Sequence, residues 1–341
     1  MTREAMRALN LEVYFNRMKY TSIDDFHEVM KKTLLELFTK YYDEVENSNH
    51  SSISAKRLNS LLKDYFQKFD ELYDNTKKSV LSEMLSCIQT YIRLSVPKTS
   101  SLSARLSFDM IDEVFNVRND NILGYSFDEL FTTSNNAVKR KLKQTLSSNF
   151  VINNNIPSYY NSIFHICEVD SVNQIKTSIR TYQKLLRERV EVKTDEYFLK
   201  NGGKSFLGYK TISTLDSRTT PVCIALNNTF YPKEEYPTRQ DIPHPVPRHF
   251  NCRSVVVRLL DDDDFSDSTR SSNGDKGGEQ IEANISFEAF LRQNPQTAKD
   301  ILGEKRYAFW QANKINIKSF VDIDKNKFFS IDEINQRFAG E

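Results

Sequence analysis

The sequence predicts an α+β protein that is mainly helical, and its glycines and prolines carry the prediction. Glycine occurs only 9 times in 341 residues, and the first is Gly124, so tight turns are scarce in the first third of the chain. Six of the nine prolines lie between Pro221 and Pro247, and β-branched runs that favour strands flank this segment. We therefore expect a region of long helices followed by a small core that contains strands.

Apolar side chains at spacings of three and four residues indicate helices through most of the first 200 positions. Such spacing covers 11–48, 58–73, 80–92, 101–117, 126–148 and 157–167, and its longest stretch runs from Val172 to Phe198. Pro97 disfavours helix in the residue before it, so the segment that ends near residue 92 should stop there.

The pattern changes after this long helix, which suggests four regions. Phe206–Leu215 and Ser254–Leu260 are rich in β-branched and aromatic residues and are predicted strands. Four aspartates at 261–264 open a stretch rich in Ser, Asp and Gly that has the composition of a linker. The expected regions are a helical N-terminal region at 1–150, a core domain at 151–260, an acidic linker at 261–283 and a helical tail at 284–341.

Composition excludes several classes of protein. Forty-seven basic residues against 46 acidic ones give a net charge of +1, which argues against a general nucleic-acid coat. Neither a transmembrane stretch nor a secretory signal is visible. Four cysteines in a chain of this length do not form a disulfide framework, so a reducing cytoplasm is the expected compartment.

Three residues that can bind soft metals gather in the proline-rich part of the chain. His249 and Cys252 are three positions apart, and Cys223 lies 26 positions upstream. Zinc binds such residues tetrahedrally, with His244 or Asp216 as the candidate fourth ligand. The alternatives are two buried cysteines beside a structural histidine, a disulfide, or a cysteine nucleophile that would still need an oxyanion hole.

Charged residues around this group favour a structural role. Asp216, Arg218, Arg253 and Asp241 are candidates for ion pairs that hold the proline-rich loop onto the two strands. No acid/base pair in a cleft formed by glycines accompanies these residues. We therefore interpret the segment as a folding clasp, a set of contacts that holds the loop in place without catalytic residues.

The motifs around these residues have a recognisable order. The runs 216–223 (DSRTTPVC), 225–228 (ALNN) and 247–254 (PRHFNCRS) resemble the phage Mu F-like head-morphogenesis family, the minor head proteins of tailed bacteriophages. The motif positions are Asp216, Arg218, Thr219, Pro221, Cys223, His249, Cys252, Arg253 and Ser254. Some family members carry cysteine at the positions of Thr220 and Ser254, so this sequence lacks ligands that a four-ligand zinc site could use.

Four further segments in the tail resemble the same family in order. They are 287–295, 301–306, 317–322 and 331–334, so the resemblance covers roughly 170–336. It implies a non-enzymatic virion protein that contacts the portal protein and the major capsid or scaffolding protein and assists DNA packaging or ejection. It implies a place in the capsid interior or at the portal vertex, reached from the host cytoplasm, with 1–150 as the candidate docking region.

Two other features leave alternatives open. Lys139, Arg140, Lys141 and Lys143 form the one dense basic run, which would contact packaged DNA through phosphates or serve as a solvated helix face. Trp310 would anchor a partner or fill a small core. The rival functions are a zinc-binding virion protein that contacts nucleic acid and an enzyme with an ADP-ribosyltransferase-like module, which nothing in the chain resembles.

Overall fold

The computed structural model has the mainly helical α+β fold that the sequence predicts. It describes residues 3–47, 53–95, 101–116, 125–148, 165–166, 171–200, 206–260, 269–313 and 315–338. Most of the helix expected at 157–167 therefore lies outside the described residues. Two compact units are present. The helical unit comprises Met18–Leu94 and Lys98–Arg187, and the mixed unit comprises Met1–Arg17, Ser95–Pro97 and Glu188–Glu341.

Long helices form the N-terminal half, as the apolar spacing predicts. They are α1 (Arg3–Arg17), α2 (Thr21–Asn47), α3 (Ala55–Ser95), α4 (Ser101–Asn116), α5 (Phe127–Ser148) and α6 (Asn173–Lys200). α3 joins two segments that the sequence pattern separates. Thr76 lies between the two apolar runs, and its hydroxyl donates to the Leu72 carbonyl at 2.8 Å. This bond lets a polar residue occupy the buried stripe, so one helix of 41 residues forms.

Within the described residues of the mixed unit, the predicted strands form the first of three small sheets. β1 (Phe206–Ile212) pairs antiparallel with both β3 (Phe230–Pro232) and β4 (Val255–Leu260). β2 (Leu215–Asp216) is two residues long and leads into the short helix α7 (Pro221–Ala225). This order brings α7 and the loop before β4 to the same part of the unit.

The expectation of a linker at 261–283 is wrong for 269–282, while 261–268 lie outside the described residues. β5 (Thr269–Gly274) and β6 (Gly277–Glu282) form a hairpin, and β2 pairs with β5 in parallel. The turn of the hairpin binds the tail, because Asp275 accepts hydrogen bonds from the Gln296 and Thr297 amides at 2.9 and 2.7 Å. The polar composition of this segment is typical of a linker, but its backbone forms the hydrogen bonds of a sheet.

The tail packs directly on the rest of the mixed unit. Its elements are α8 (Phe287–Gln293), α9 (Pro295–Asn313, kinked at Gly303), β7 (Val321–Asp322), β8 (Lys327–Phe328) and α10 (Ile331–Phe338). Trp310 is fully buried, in one apolar cluster with Leu215 and with Ile224 of α7. Trp310 therefore fills a core and is not an exposed anchor for a partner.

The boundaries of the two compact units differ from the boundaries of the predicted regions. The division falls at residue 187, inside α6, and α1 belongs to the mixed unit, where Ala8 packs against an apolar cluster that includes Val255 and Val257 of β4. Apolar spacing shows that a segment is helical but not which partner its apolar side meets. Among the described residues, none of the helices is both long enough and apolar enough to cross a membrane.

Candidate functional site

The candidate site lies between α7 and the loop that precedes β4. Cys223 lies on α7, which begins at Pro221, where the fixed φ of proline suits the first turn of a helix. In the loop, the Cys252 amide donates to the His249 carbonyl at 3.1 Å. Asn251 adopts a left-handed conformation with φ of 59°, which asparagine tolerates better than most residues. This turn brings His249 and Cys252 to the same side, facing Cys223.

The three residues form one compact group. Cys223 Sγ lies 3.2 Å from His249 Nε2 and 3.9 Å from Cys252 Sγ, and all three ligand atoms lie within 4.8 Å of one another. Both cysteines are buried and His249 is half-buried. The structure thus brings together the three residues that the sequence singles out as ligand candidates.

A backbone contact orients the imidazole. His249 Nδ1 lies 2.8 Å from the Phe250 carbonyl oxygen, which can only accept a hydrogen bond, so Nδ1 carries the proton. Nε2 then faces the sulfur of Cys223, either with its lone pair or with a second proton. Histidines that bind a metal commonly donate the proton of their other ring nitrogen to such a carbonyl.

The two thiols differ in their affinity for a proton. The hydrogen bond from Cys252, together with the charge of Arg248, lowers the pKa of Cys223 to about 5 against the opposing effect of burial. The same hydrogen bond and burial raise the pKa of Cys252 to about 12. The hydrogen bond between the two thiols therefore favours a negative charge on Cys223 rather than on Cys252.

Neither candidate for the fourth ligand joins the group. Among the described residues, the only group of Cys, His and carboxylate atoms that could hold a metal ion is the set of three, which includes neither His244 nor Asp216. Asp216 is instead bound to Arg253, as described below. The hydroxyls of Ser254 and Thr220 also act to lower the pKa of Cys223.

Asp216 and Arg253 form the second part of the site. Asp216 is 2% exposed, and its two carboxylate oxygens accept from the two terminal nitrogens of Arg253, the Oδ1 contact being 2.7 Å. Burial acts to raise the pKa of Asp216, but the bonds and charge of Arg253 outweigh it and hold the pKa below the ordinary value. Thr219 and the Arg218 amide complete the shell with bonds of 3.1 and 3.0 Å to Oδ1.

Buried hydroxyls extend the first part of the site. Ser254 Oγ lies 3.0 Å from Ser213 Oγ, which donates to the Cys223 carbonyl at 2.7 Å. Among the charged candidates for the clasp, Asp216, Arg218 and Arg253 lie together. Asp241 instead caps the short turn Arg239–Asp241 through bonds to Thr238.

The arrangement suits structure better than turnover. Cys223 is 2% and Cys252 3% exposed, so the sulfur atoms are not open to a substrate in this conformation. Two thiols and an imidazole nitrogen at these distances could hold a zinc-class ion, with a fourth position left for a ligand other than His244 or Asp216. The same geometry also serves as a clasp of hydrogen bonds between α7 and the loop before β4.

The basic residues lie elsewhere, on α5 in the helical unit. Lys139 Nζ is 2.5 Å from Asp70 Oδ1 on α3, so the charge of Lys139 is neutralised locally. Arg140 and Lys143 are exposed, and Lys141 is half-buried. A role of these residues in binding nucleic acid stays a prediction.

One buried centre was missed by the sequence analysis. Arg239, from the proline-rich segment, is 6% exposed and donates to Asp195 at 2.7 Å, to Glu188 at 3.3 Å and to the Val256 carbonyl at 2.7 Å. Glu191 lies 3.8 Å away. The signal was available, because acids at 188, 191 and 195 share one side of a helix and need a cation when that side is buried.

Comparisons with protein-family models, with curated proteins and with solved structures find no match to this chain.

Proposed function

We propose that this chain is a non-enzymatic minor head protein of a tailed bacteriophage that acts in head morphogenesis. It binds the portal protein and the major capsid or scaffolding protein, and it assists DNA packaging or ejection. Its place is the capsid interior or the portal vertex, which it enters from the host cytoplasm. The helical N-terminal region at 1–150 is the proposed docking surface.

One observation supports the proposal most strongly. The motif residues that resemble the Mu F-like family are spread over 39 positions from Asp216 to Ser254, yet most of them meet in two groups of contacts. One joins Cys223 with His249 and Cys252, and the other joins Asp216 with Thr219 and Arg253. A chance likeness between short sequence runs would not require the matched residues to touch.

The tail supplies a second support. Asn326, in the turn between β7 and β8, accepts a hydrogen bond from the Val222 amide of α7 at 3.1 Å. Leu215 and Ile224 share the core of the tail helices. The two parts of the resemblance, 216–254 and 287–334, thus both belong to the mixed unit.

The test is assembly. The chain is co-expressed with a tagged portal protein from the same phage genome, and purified virions are examined by quantitative mass spectrometry. We expect retention on the portal and a low, fixed number of copies per virion. Absence from purified virions would refute the proposal, even if the protein folds and is soluble.

The convergence of Cys223, His249 and Cys252 favours a second candidate, a zinc-binding virion protein that contacts nucleic acid. Metal analysis of the purified chain should then find one zinc per molecule, and none would remove this candidate. Thr220→Cys places a thiol where a hydroxyl lies near Cys223, so it should slow the loss of zinc to a chelator. Cys87→Ala, in the helical unit, is the matched control and should leave the zinc content unchanged.

Contact with DNA is tested separately. Binding of a duplex at low salt, weakened by added salt and by Arg140→Gln with Lys143→Gln, would support a role for the basic residues. Absence of binding at low salt would remove nucleic acid from the proposal and leave the structural role intact.

A further inference from the structure

Arg270 on β5 is a buried positive charge without a negative partner. Arg270 is 2% exposed. In the described part of the chain, its guanidinium makes hydrogen bonds but no ion pair. By contrast, the buried Arg239 faces three carboxylates. A buried ion normally needs a compensating charge, because burial removes the water that would otherwise stabilise it.

Carbonyl groups satisfy only part of this guanidinium. Arg270 donates to the Ser213 carbonyl at 3.2 Å, to the Ile285 carbonyl at 3.0 Å and to Asn227 Oδ1 at 3.5 Å. Its Nε is buried and has no hydrogen-bond partner among the described residues. Burial lowers the pKa of Arg270 to about 10, so the group stays charged at neutral pH.

The neighbouring Asn227 presents a second unused donor. Its Oδ1 accepts from the Ser213 amide at 3.0 Å, and this contact fixes which end of the side-chain amide is oxygen. Its Nδ2 is therefore a donor, and it too is buried without a partner among the described residues. Each buried donor left unpaired costs free energy, so two of them on adjacent side chains call for an acceptor.

We propose that a small inorganic anion of the chloride class binds beside the Arg270 guanidinium and accepts hydrogen bonds from Arg270 Nε and Asn227 Nδ2. An anion meets both needs at once, since it accepts these bonds and supplies the missing charge, whereas water would leave the charge uncompensated. Lys210 adds positive charge nearby, because the charge of Arg270, after burial, lowers the pKa of Lys210. The burial of both donors limits the occupant to a few atoms. The inference does not depend on the proposed phage function.

The first test is thermal unfolding in sodium chloride and in sodium gluconate at equal ionic strength. A ligand that binds only the folded state raises the melting temperature until the site is saturated. We expect the wild type to melt several degrees higher in chloride, with a response that saturates, and Arg270→Gln to lose the difference. Equal melting of the wild type in both salts would overturn the proposal.

Arg306→Gln is the matched control for general salt effects. Arg306 also binds carbonyl oxygens, those of Phe329 at 2.7 Å and Leu302 at 3.2 Å, but it is only half-buried. This variant should keep the full difference between chloride and gluconate. Loss of the difference in Arg306→Gln would contradict a specific site at Arg270.

A second variant keeps the test decisive if Arg270→Gln does not fold. Asn227→Asp retains the acceptor for the Ser213 amide and places a carboxylate beside Arg270. It should melt above the wild type in gluconate and show no further gain in chloride. A crystal soaked in bromide should show an anomalous peak within hydrogen-bond distance of Arg270 Nε, and a water molecule there instead would also overturn the proposal.

Discussion

The helical unit and the mixed unit are stabilised by different kinds of interaction. In the helical unit, apolar stripes run along helices of up to 41 residues, and fully buried residues such as Met30, Phe69 and Met84 recur along them. In the mixed unit, strands and helices of two to seven residues surround the site, and buried ions, thiols and hydroxyls connect them. The difference teaches that long elements can be held by repeated packing, whereas short ones add specific polar contacts to their apolar clusters.

The largest expected effect tests the packing side of this comparison. Phe69→Ala removes a fully buried ring from α3 and should cost about 3–5 kcal/mol of unfolding free energy, measured by denaturant titration. The control is Phe108→Ala in the same unit, where the ring is 75% exposed. Equal losses in the two variants would show that the stripe is not the source of stability.

The next effect tests the polar side. Asp216→Ala leaves the Arg253 guanidinium without its buried partner and should cost about 3 kcal/mol, at the low end of the range for broken buried pairs. Asp241→Ala is the control, since the exposed carboxylate of Asp241 caps only a short turn and its removal should cost less. Denaturant unfolding followed in the mixed unit by the fluorescence of Trp310 measures both. If Asp216→Ala loses no more unfolding free energy than the control does, the ion pair does not stabilise the mixed unit as proposed.

A smaller effect tests whether the hairpin is part of the fold. A Cβ on Gly274 would lie 2.1 Å from Asn294 Oδ1, the atom that accepts from the Asp275 amide at 2.9 Å. Gly274→Ala should therefore cost about 1–3 kcal/mol. Gly278→Ala, on the partner strand, meets open space and should change little. Equal stability of the two variants would favour the linker that the composition suggests.

The smallest effect is a dependence on pH. The pKa of Asp216 is lowered in the folded state, so the stability that it contributes is present above its unfolded pKa of about 3.9 and is lost as pH falls through the folded value. The wild type should therefore lose more unfolding free energy than Asp216→Asn between pH 5 and pH 2. Parallel pH profiles of the two proteins would contradict a lowered pKa.

Sequence reasoning reached the helical unit more fully than the mixed unit. Periodicity identified α2, α5 and α6 because their buried residues repeat at a regular spacing, and it separated α3 only where Thr76 interrupts the apolar run. It also found Cys223, His249 and Cys252, because ligand types at short spacing are visible in a sequence. It could not show that Asp216 binds Arg253 rather than a metal, since that depends on distances across 37 positions.

The hairpin and the Arg239 centre show the same limit. Ser, Asn and Gly at 271–278 have the composition of a linker, and only the pairing of β5 with β2 and β6 reveals a sheet. Arg239 meets acids 44 to 51 positions away, so the local pattern of acids indicates that a cation is needed but not which residue supplies it. Packing of repeated residues is therefore predictable from sequence, while convergence of single residues is not.

The central claim is that Cys223, His249 and Cys252 act together as a clasp, and a double-mutant cycle tests it most directly. We predict that Cys223→Ala, His249→Ala and Cys252→Ala each lower the melting temperature, and that Cys223→Ala with Cys252→Ala costs less than the sum of the two. In the control double variant, Cys223→Ala with Cys87→Ala, the two thiols lie in different units. Its loss of stability should equal the sum of the two single losses. Unchanged melting in all three single variants, or additivity of Cys223→Ala with Cys252→Ala, would contradict the clasp.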